Sequence, residues 1–217
     1  MRSIIFANGD FCPQDTPVNI DSNDLVVAAD GGSRHCQELG ITPNILIGDM
    51  DSTNPDLVKD WEASGVEVIR FPPDKDQTDL ELALMHVQSE GATKIIVYGA
   101  VGGRLDMTFG NLLLLTHPDL KSVVKLVCGN EEIRVLREGD LLTLPGTVGD
   151  TISLIPLSMD GAKITTKGLE YPLKKDVLDF GLTRGISNRL VKKQASIHLE
   201  SGLLAVIHTR IHSAEVD

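Results

Sequence analysis

"KIIVYGAVGGRLDMTFGNLLLL", residues 94 to 115, decides the class of fold. It opens as a short apolar run, turns through glycines at 99, 102 and 103, and closes as a segment of helical length that contains Asn111. A strand that feeds a helix through a tight turn is half of a parallel crossover. Outward from it the same succession recurs, with "SIIFA", "LVVAA", "NILIG", "VEVIRF" and "VVKLVCG" alternating with helical segments. The pattern predicts a mostly parallel sheet with helices on its faces, a Rossmann-like α/β/α domain. After about residue 137 helical segments give way to short β-type runs ("TISLIPL", "AKITTKG", "ASIHLES", "LLAVIHTR") punctuated by Gly, Pro, Asp and Ser. A compact all-β domain is expected there, with the boundary near "REGDLL", giving domains 1–136 and 137–217. "LTLPGTVGD" and "KKDVLDFGL" read as hairpin and loop material.

Composition narrows the setting. With 217 residues, 41% hydrophobic and 24% charged, the chain reads as an ordinary globular protein, and it has no apolar run long enough to cross a bilayer. Its N-terminus lacks the long apolar segment of a secretory signal, so the expected address is the cytoplasm. Cys12, Cys36 and Cys128 form no C-x-x-C pair and are expected to be reduced. A net charge of −11 argues against a nucleic-acid partner. The acid excess is local: residues 1 to 136 hold 10 Lys and Arg against 21 Asp and Glu, and the remainder holds 10 of each.

Several acids fall where strands end. "LVVAADGG" runs into Asp30, and "NILIGDMDS" runs into Asp49 and Asp51. Ligands of open parallel sheets settle outside the carboxyl ends of strands. Side chains two apart on an extended chain share a direction, so Asp49 and Asp51 can face one ligand if the strand geometry persists through Met50. In "DKDQTDLELALMHVQSEGA", Thr78 and Glu81 fit a capping box, and Leu80, Ala83, Leu84 and Val87 recur at helical spacing before Gly91. A helix is therefore expected from Asp79, with Asp76 and Asp79 at its positive end and Lys75 among the acids. Around the glycine-rich turn, Arg104 can hold phosphate oxygens in a fork of hydrogen bonds, followed by Asp106. Neither G-x-x-x-x-G-K-[ST] nor G-x-G-x-x-G occurs, and the histidines lack ligand spacing. This inventory suits transfer of a phosphoryl or pyrophosphoryl group with Mg²⁺, a hard ion held by carboxylates and substrate phosphates. A metal-dependent phosphohydrolase and a nucleotide-sensing module remain open alternatives.

"AADGGSRHCQELGITPNILIGDMDS", "DKDQTDLELAL" and "GAVGGRLDMTFGNLLLL", followed by "GLEYPL" and "GISNRL", together resemble the thiamine pyrophosphokinase family. The resemblance implies an α/β catalytic domain joined to a β-sandwich, a homodimer, and transfer of the terminal pyrophosphate of ATP to the hydroxyl of thiamine, with AMP released. It implies catalytic roles for Asp49, Asp51, Asp79 and Asp106, with Asp49, Asp51 and Asp79 as the Mg²⁺ ligands. Asp30, Lys75, Asp76, Gln77, Thr78, Gly103 and Arg104 are the implied ATP-binding set. Tyr171, Ser187 and Asn188 match the thiamine side, contributed by the partner subunit's β-domain. An aromatic ring stacked on a cationic heterocycle suits Tyr171, although from the residues alone Tyr171 reads equally well as a core or interface aromatic. Trp61 reads as packing on an outer helix.

Overall fold

The computed structural model describes residues 1–11 and 16–211; Cys12 and His212 lie outside the described residues. Contacts divide the chain into two units, Met1–Gly129 and Asn130–Asp217.

The first unit is an open parallel sheet. Its strands are β1 (Arg2–Phe6), β2 (Leu25–Ala29), β3 (Ile45–Gly48), β4 (Glu67–Arg70), β5 (Lys94–Tyr98) and β6 (Val123–Cys128). They lie in the order β6-β5-β1-β2-β3-β4, and every pairing is parallel. The chain builds outward from β1 to β4, then returns to place β5 on the other side of β1, which makes a topological switch point beside β1. Helices α1 (Ser33–Glu38), α2 (Pro55–Ala63), α3 (Asp79–Ser89) and α4 (Leu105–Leu114) fill the connections. Ile4, Ile5 and Phe6 are consecutive and fully buried, as are Leu46 and Ile47. Alternate residues of a strand point to opposite faces, so both faces of the sheet are covered. Ile4, Phe6, Val26, Ala28 and Leu46 pack with Cys36 of α1 and with Val58 and Trp61 of α2. The α3 helix packs on β1, β2 and β3, burying Leu80, Ala83, Leu84 and Val87. It starts at the expected residue: the Thr78 side chain accepts a hydrogen bond from Glu81 N at 3.2 Å. Trp61 is buried on its helix, Cys36 is a buried free thiol and Cys128 is partly buried. Burial pushes the Cys36 thiol up to about 12, so it stays protonated and packs as a small apolar side chain.

The second unit is all antiparallel. Strands β7 (Glu131–Arg137), β9 (Thr151–Pro156), β12 (Asn188–Arg189) and β14 (Leu203–Thr209) form one sheet in the order β12-β9-β14-β7. The second sheet has the order β11-β10-β13-β8, from β8 (Leu141–Pro145), β10 (Ala162–Lys167), β11 (Lys174–Leu178) and β13 (Gln194–Ser201). Burial alternates along β9, β10 and β13, and Ile152, Leu154, Ile164, Ile197, Leu199 and Leu204 meet in one core, so the two sheets form a sandwich. The chain changes sheets at Gly202, where φ is +94° and a Cβ would lie 2.4 Å from Gly161 O.

Three expectations differ from this architecture. Residues 130–136, expected in the first domain, form most of β7 and pair with β14, so they belong to the second unit. "LTLPGTVGD" joins strands of different sheets and is no hairpin. "KKDVLDFGL" contains β11, an edge strand whose exposed lysines hide its β character. Among the described residues no helix is long and apolar enough to cross a membrane.

Candidate functional site

A cleft of about 590 Å³ opens at the carboxyl ends of the parallel strands. Five short segments build it: the loop after β1, the turns after β2 and β3, the start of α3, and the glycine-rich turn after β5. Asp30 enters at the end of β2 with a left-handed backbone, φ +42°, and is 4% exposed. Thr53 Oγ1 donates within 3.0 Å of the Asp30 carbonyl oxygen and 3.2 Å of its carboxylate. Asp49 follows β3, and Asp79 opens α3. Carboxylate oxygens of Asp30, Asp49 and Asp79 lie within 4.8 Å of one another. Gly48 makes room for this meeting: with φ +148°, a Cβ there would stand 2.9 Å from Asp30 Cβ and 3.1 Å from Asp79 Oδ1.

Lys75 is the cation of the cluster. Its Nζ lies 3.0 Å from Asp49 Oδ2 and 2.9 Å from Asp79 Oδ1. The lysine hydrogen bond holds Asp49 below the usual carboxylate range. Burial raises Asp79, an effect that exceeds the opposing pull of Lys75. On Lys75 the order reverses: desolvation lowers its pKa, and its two acidic neighbours more than compensate, so it stays charged. One ammonium facing three carboxylates leaves the cluster short of positive charge. An oxygen-only donor set converging from three segments, with a lysine already standing in as the cation, fits a hard divalent ion such as Mg²⁺.

Asp51 lines the same cleft outside the trio. The condition attached to it fails: β3 ends at Gly48, and Met50 turns left-handed at φ +65°. Asp51 is exposed; its N–H donates to Asp49 Oδ1 at 3.1 Å, and its carboxylate accepts from Ser52 Oγ at 2.8 Å. Gln77, Thr78, Gly103 and Arg104 also line the cleft. Arg104 stands at its rim, with Nη2 2.5 Å from Asp106 Oδ2, and this pairing lowers the carboxyl pKa of Asp106. Asp106 and Asp76 are exposed and do not line the cleft. The glycine-rich turn is fastened to α4, since Asn111 Nδ2 donates to Ala100 O at 2.8 Å and Thr108 Oγ1 accepts from Gly102 N at 3.0 Å.

Sequence reasoning passed over the wall after β1, where Asn8, Gly9 and Asp10 line the cleft with Arg34. Arg34 Nη2 donates to Asn8 O and Gly9 O, both at 2.9 Å, and His35 Nε2 lies 2.9 Å from Gly9 O. "FANGD" carries the same signal as the other strand ends, an acid and a glycine directly after an apolar run.

Two family models cover most of the chain: thiamin pyrophosphokinase, catalytic domain, over residues 18–128, and thiamin pyrophosphokinase, vitamin B1 binding domain, over residues 132–204. The chain belongs to the thiamin pyrophosphokinase family. Thiamine pyrophosphokinase of Bacillus subtilis is 29% identical over 87% of this chain and 89% of its own length. Thiamine pyrophosphokinase 1 of Arabidopsis thaliana is also 29% identical, over 90% and 82% respectively. The crystal structure of the Bacillus subtilis thiamine pyrophosphokinase superposes with a TM-score of 0.84 at 26% identity, covering 97% of this chain and 100% of that one.

Within the domain matched to vitamin B1 binding, the thiamin pyrophosphokinase residues of interest gather at one corner of the sandwich. Tyr171 is 66% exposed, so it is no core aromatic of its domain. Ser187 is exposed with φ +61°, and its N–H donates to Ser153 Oγ at 3.1 Å. Asn188 is buried, and its amide is hydrogen-bonded to the main chain of Tyr171.

Proposed function

We infer that this protein is a thiamine pyrophosphokinase, and we propose that it moves the terminal pyrophosphate of ATP onto the hydroxyl of thiamine, giving thiamine diphosphate and AMP. The observation that carries the reading is the meeting of Asp30, Asp49 and Asp79 in a cleft that also holds the Gly102–Arg104 turn, within a chain matched by both family models. Asp30, Asp49 and Asp79 would hold Mg²⁺, with Asp51 near enough in the same cleft to serve as a further ligand. When bound, the ion neutralises charge on the phosphate oxygens and orients the triphosphate.

The remaining work belongs to the chain's own groups. Arg104 exchanges Asp106 for a phosphate oxygen, a swap made easy by the exposure of that pair. Lys75 contributes a second positive charge beside the transferred group, and the open turn at Gly102 and Gly103 lets the backbone approach closely. Gln77 and Thr78 bound the phosphates from the α3 side, with Asp76 outside the cleft. In this reading the thiamine hydroxyl attacks the β-phosphorus in line with the departing AMP. Tyr171, Ser187 and Asn188 form the thiamine side in a homodimer, and the demand for ATP suits a cytoplasmic address.

Incubation of the purified protein with ATP, Mg²⁺ and thiamine tests the reading through both products. AMP and thiamine diphosphate should appear in equal amounts, and only when all three are present. Thiamine-independent phosphate release would replace it with a phosphohydrolase, and ATP binding without turnover with a sensing module.

A further inference from the structure

Asn188 makes an unusual use of its side chain. Leu169 and Leu190 form an antiparallel bridge, and Glu170 N donates to Arg189 O at 2.9 Å. Counting on from that bridge, Tyr171 stands directly opposite Asn188 as a pair between which a regular antiparallel ladder makes no main-chain hydrogen bonds, since 170/189 and 168/191 are the bonded pairs. The side-chain amide ties the two together instead: Tyr171 N donates to Asn188 Oδ1 at 3.1 Å, and Asn188 Nδ2 donates to Tyr171 O at 2.8 Å. Arg189 N also donates to Asn188 Oδ1, at 2.9 Å. The oxygen thus has both lone pairs occupied, and one of the two amide protons is committed. The residue is 8% exposed, whereas the Tyr171 side of the pair is open to solvent. The backbone of Asn188 is fixed from its other edge by the pairing of β12 with β9. The primary amide acts as a surrogate peptide group that ties the Tyr171 main chain to the sandwich.

We propose that Asn188 is a positioning residue for thiamine recognition, acting through Tyr171 and not as a direct thiamine contact. The proposal rests on the reading above that Tyr171 faces thiamine. A ring on an irregular corner loses orientation when its main chain is released, and a misplaced stacking partner weakens binding of the substrate more than it slows chemistry on substrate already bound.

The chain has two tyrosines, Tyr98 in the core of the first unit and Tyr171, so full-length protein made with 3-fluorotyrosine gives one fluorine resonance for each. In Asn188→Ala the Tyr171 line should move and narrow without ligand, while the Tyr98 line stays in place. In steady-state kinetics Asn188→Ala should raise the thiamine KM about tenfold with kcat nearly unchanged, and should add less than about twofold in a Tyr171→Ala background. If the alanine variant fails to fold, Asn188→Asp carries the same test, since it is isosteric, keeps the acceptor oxygen and sets a second carboxylate oxygen in place of the donor to Tyr171 O. An unmoved Tyr171 resonance overturns the positioning role, and an equal rise in KM with and without Tyr171 assigns Asn188 to thiamine itself. A Tyr171→Ala variant with unchanged thiamine KM removes the thiamine reading of Tyr171, while the fluorine spectra still decide whether Asn188 orders that ring.

Discussion

Gly48 is the residue on which the acidic cluster depends most directly, although it carries no functional group. Its positive φ disfavours any side chain, and the volume a methyl group would take is already filled by Asp30 and Asp79. Gly48→Ala should cost about 1–3 kcal/mol of stability in a denaturant titration and should lose activity beyond what the remaining folded fraction explains. The acids themselves separate by position. Asp30→Asn, Asp49→Asn and Asp79→Asn should each lower turnover by about 10²–10³-fold and raise the Mg²⁺ concentration needed for half-maximal rate. Asp51→Asn, outside the trio, should lower it by less than about tenfold; equal losses at Asp51 and Asp30 would redraw the metal site. Asp30 was legible as an acid at a strand end, but its burial and its meeting with Asp49 and Asp79 were not. Those depend on Thr53 and on the left-handed turn at Met50, which no local pattern announces.

Among the elements, α3 and the turn before α4 show how unevenly a chain discloses its structure. The start of α3 was legible to the residue because a capping box is a contact between neighbours in sequence. The attachment of the glycine-rich turn was not, since Asn111 reaches back across a helical span to the Ala100 carbonyl. Asn111→Ala leaves that buried oxygen without its donor, which should cost about 1–3 kcal/mol. By loosening the turn that carries Gly103 and Arg104, it should also raise the KM for ATP more than that for thiamine. Equal changes in the two constants would disconnect the turn from the nucleotide. The β11 strand escaped notice for the opposite reason: an edge strand with lysines on its exposed positions lacks the apolar alternation by which strands are recognised.

For the protein taken together, each unit holds its own core, and the second is secured by a buried hydrogen-bonded Asp–His pair. Asp150 Oδ2 lies 2.8 Å from His208 Nε2, both side chains are 1% exposed, and Asp150 also accepts from Thr147 N and Ile211 N. Burial raises the Asp150 pKa, but its hydrogen bonds to His208 and to the two backbone N–H groups outweigh that and leave it below the usual carboxylate value. A depressed carboxylate stabilises the fold at pH values above its unfolded pKa of about 3.9. That contribution is lost as pH falls from near 4 through the lower folded value. Denaturation of the wild-type protein should therefore ease across that interval. Asp150→Asn should be weaker by about 1–3 kcal/mol at neutral pH and should lack this part of the acid dependence; an identical acid profile would deny Asp150 the role.

The succession of apolar runs, turns and caps was enough to establish an α/β domain followed by an all-β one, the start of α3, and acids collected where parallel strands end. These follow from interactions between residues a few positions apart, and the order of the blocks carried the family resemblance as well. The tertiary structure alone selected Asp30 over Asp51 for the trio, seated Lys75 between Asp49 and Asp79, moved residues 130–136 into the sandwich, and turned the Asn188 amide toward Tyr171. Each of those outcomes depends on the order of strands in a sheet and on single left-handed residues in loops. Contacts of that kind join segments far apart in the chain, and local periodicity does not record them.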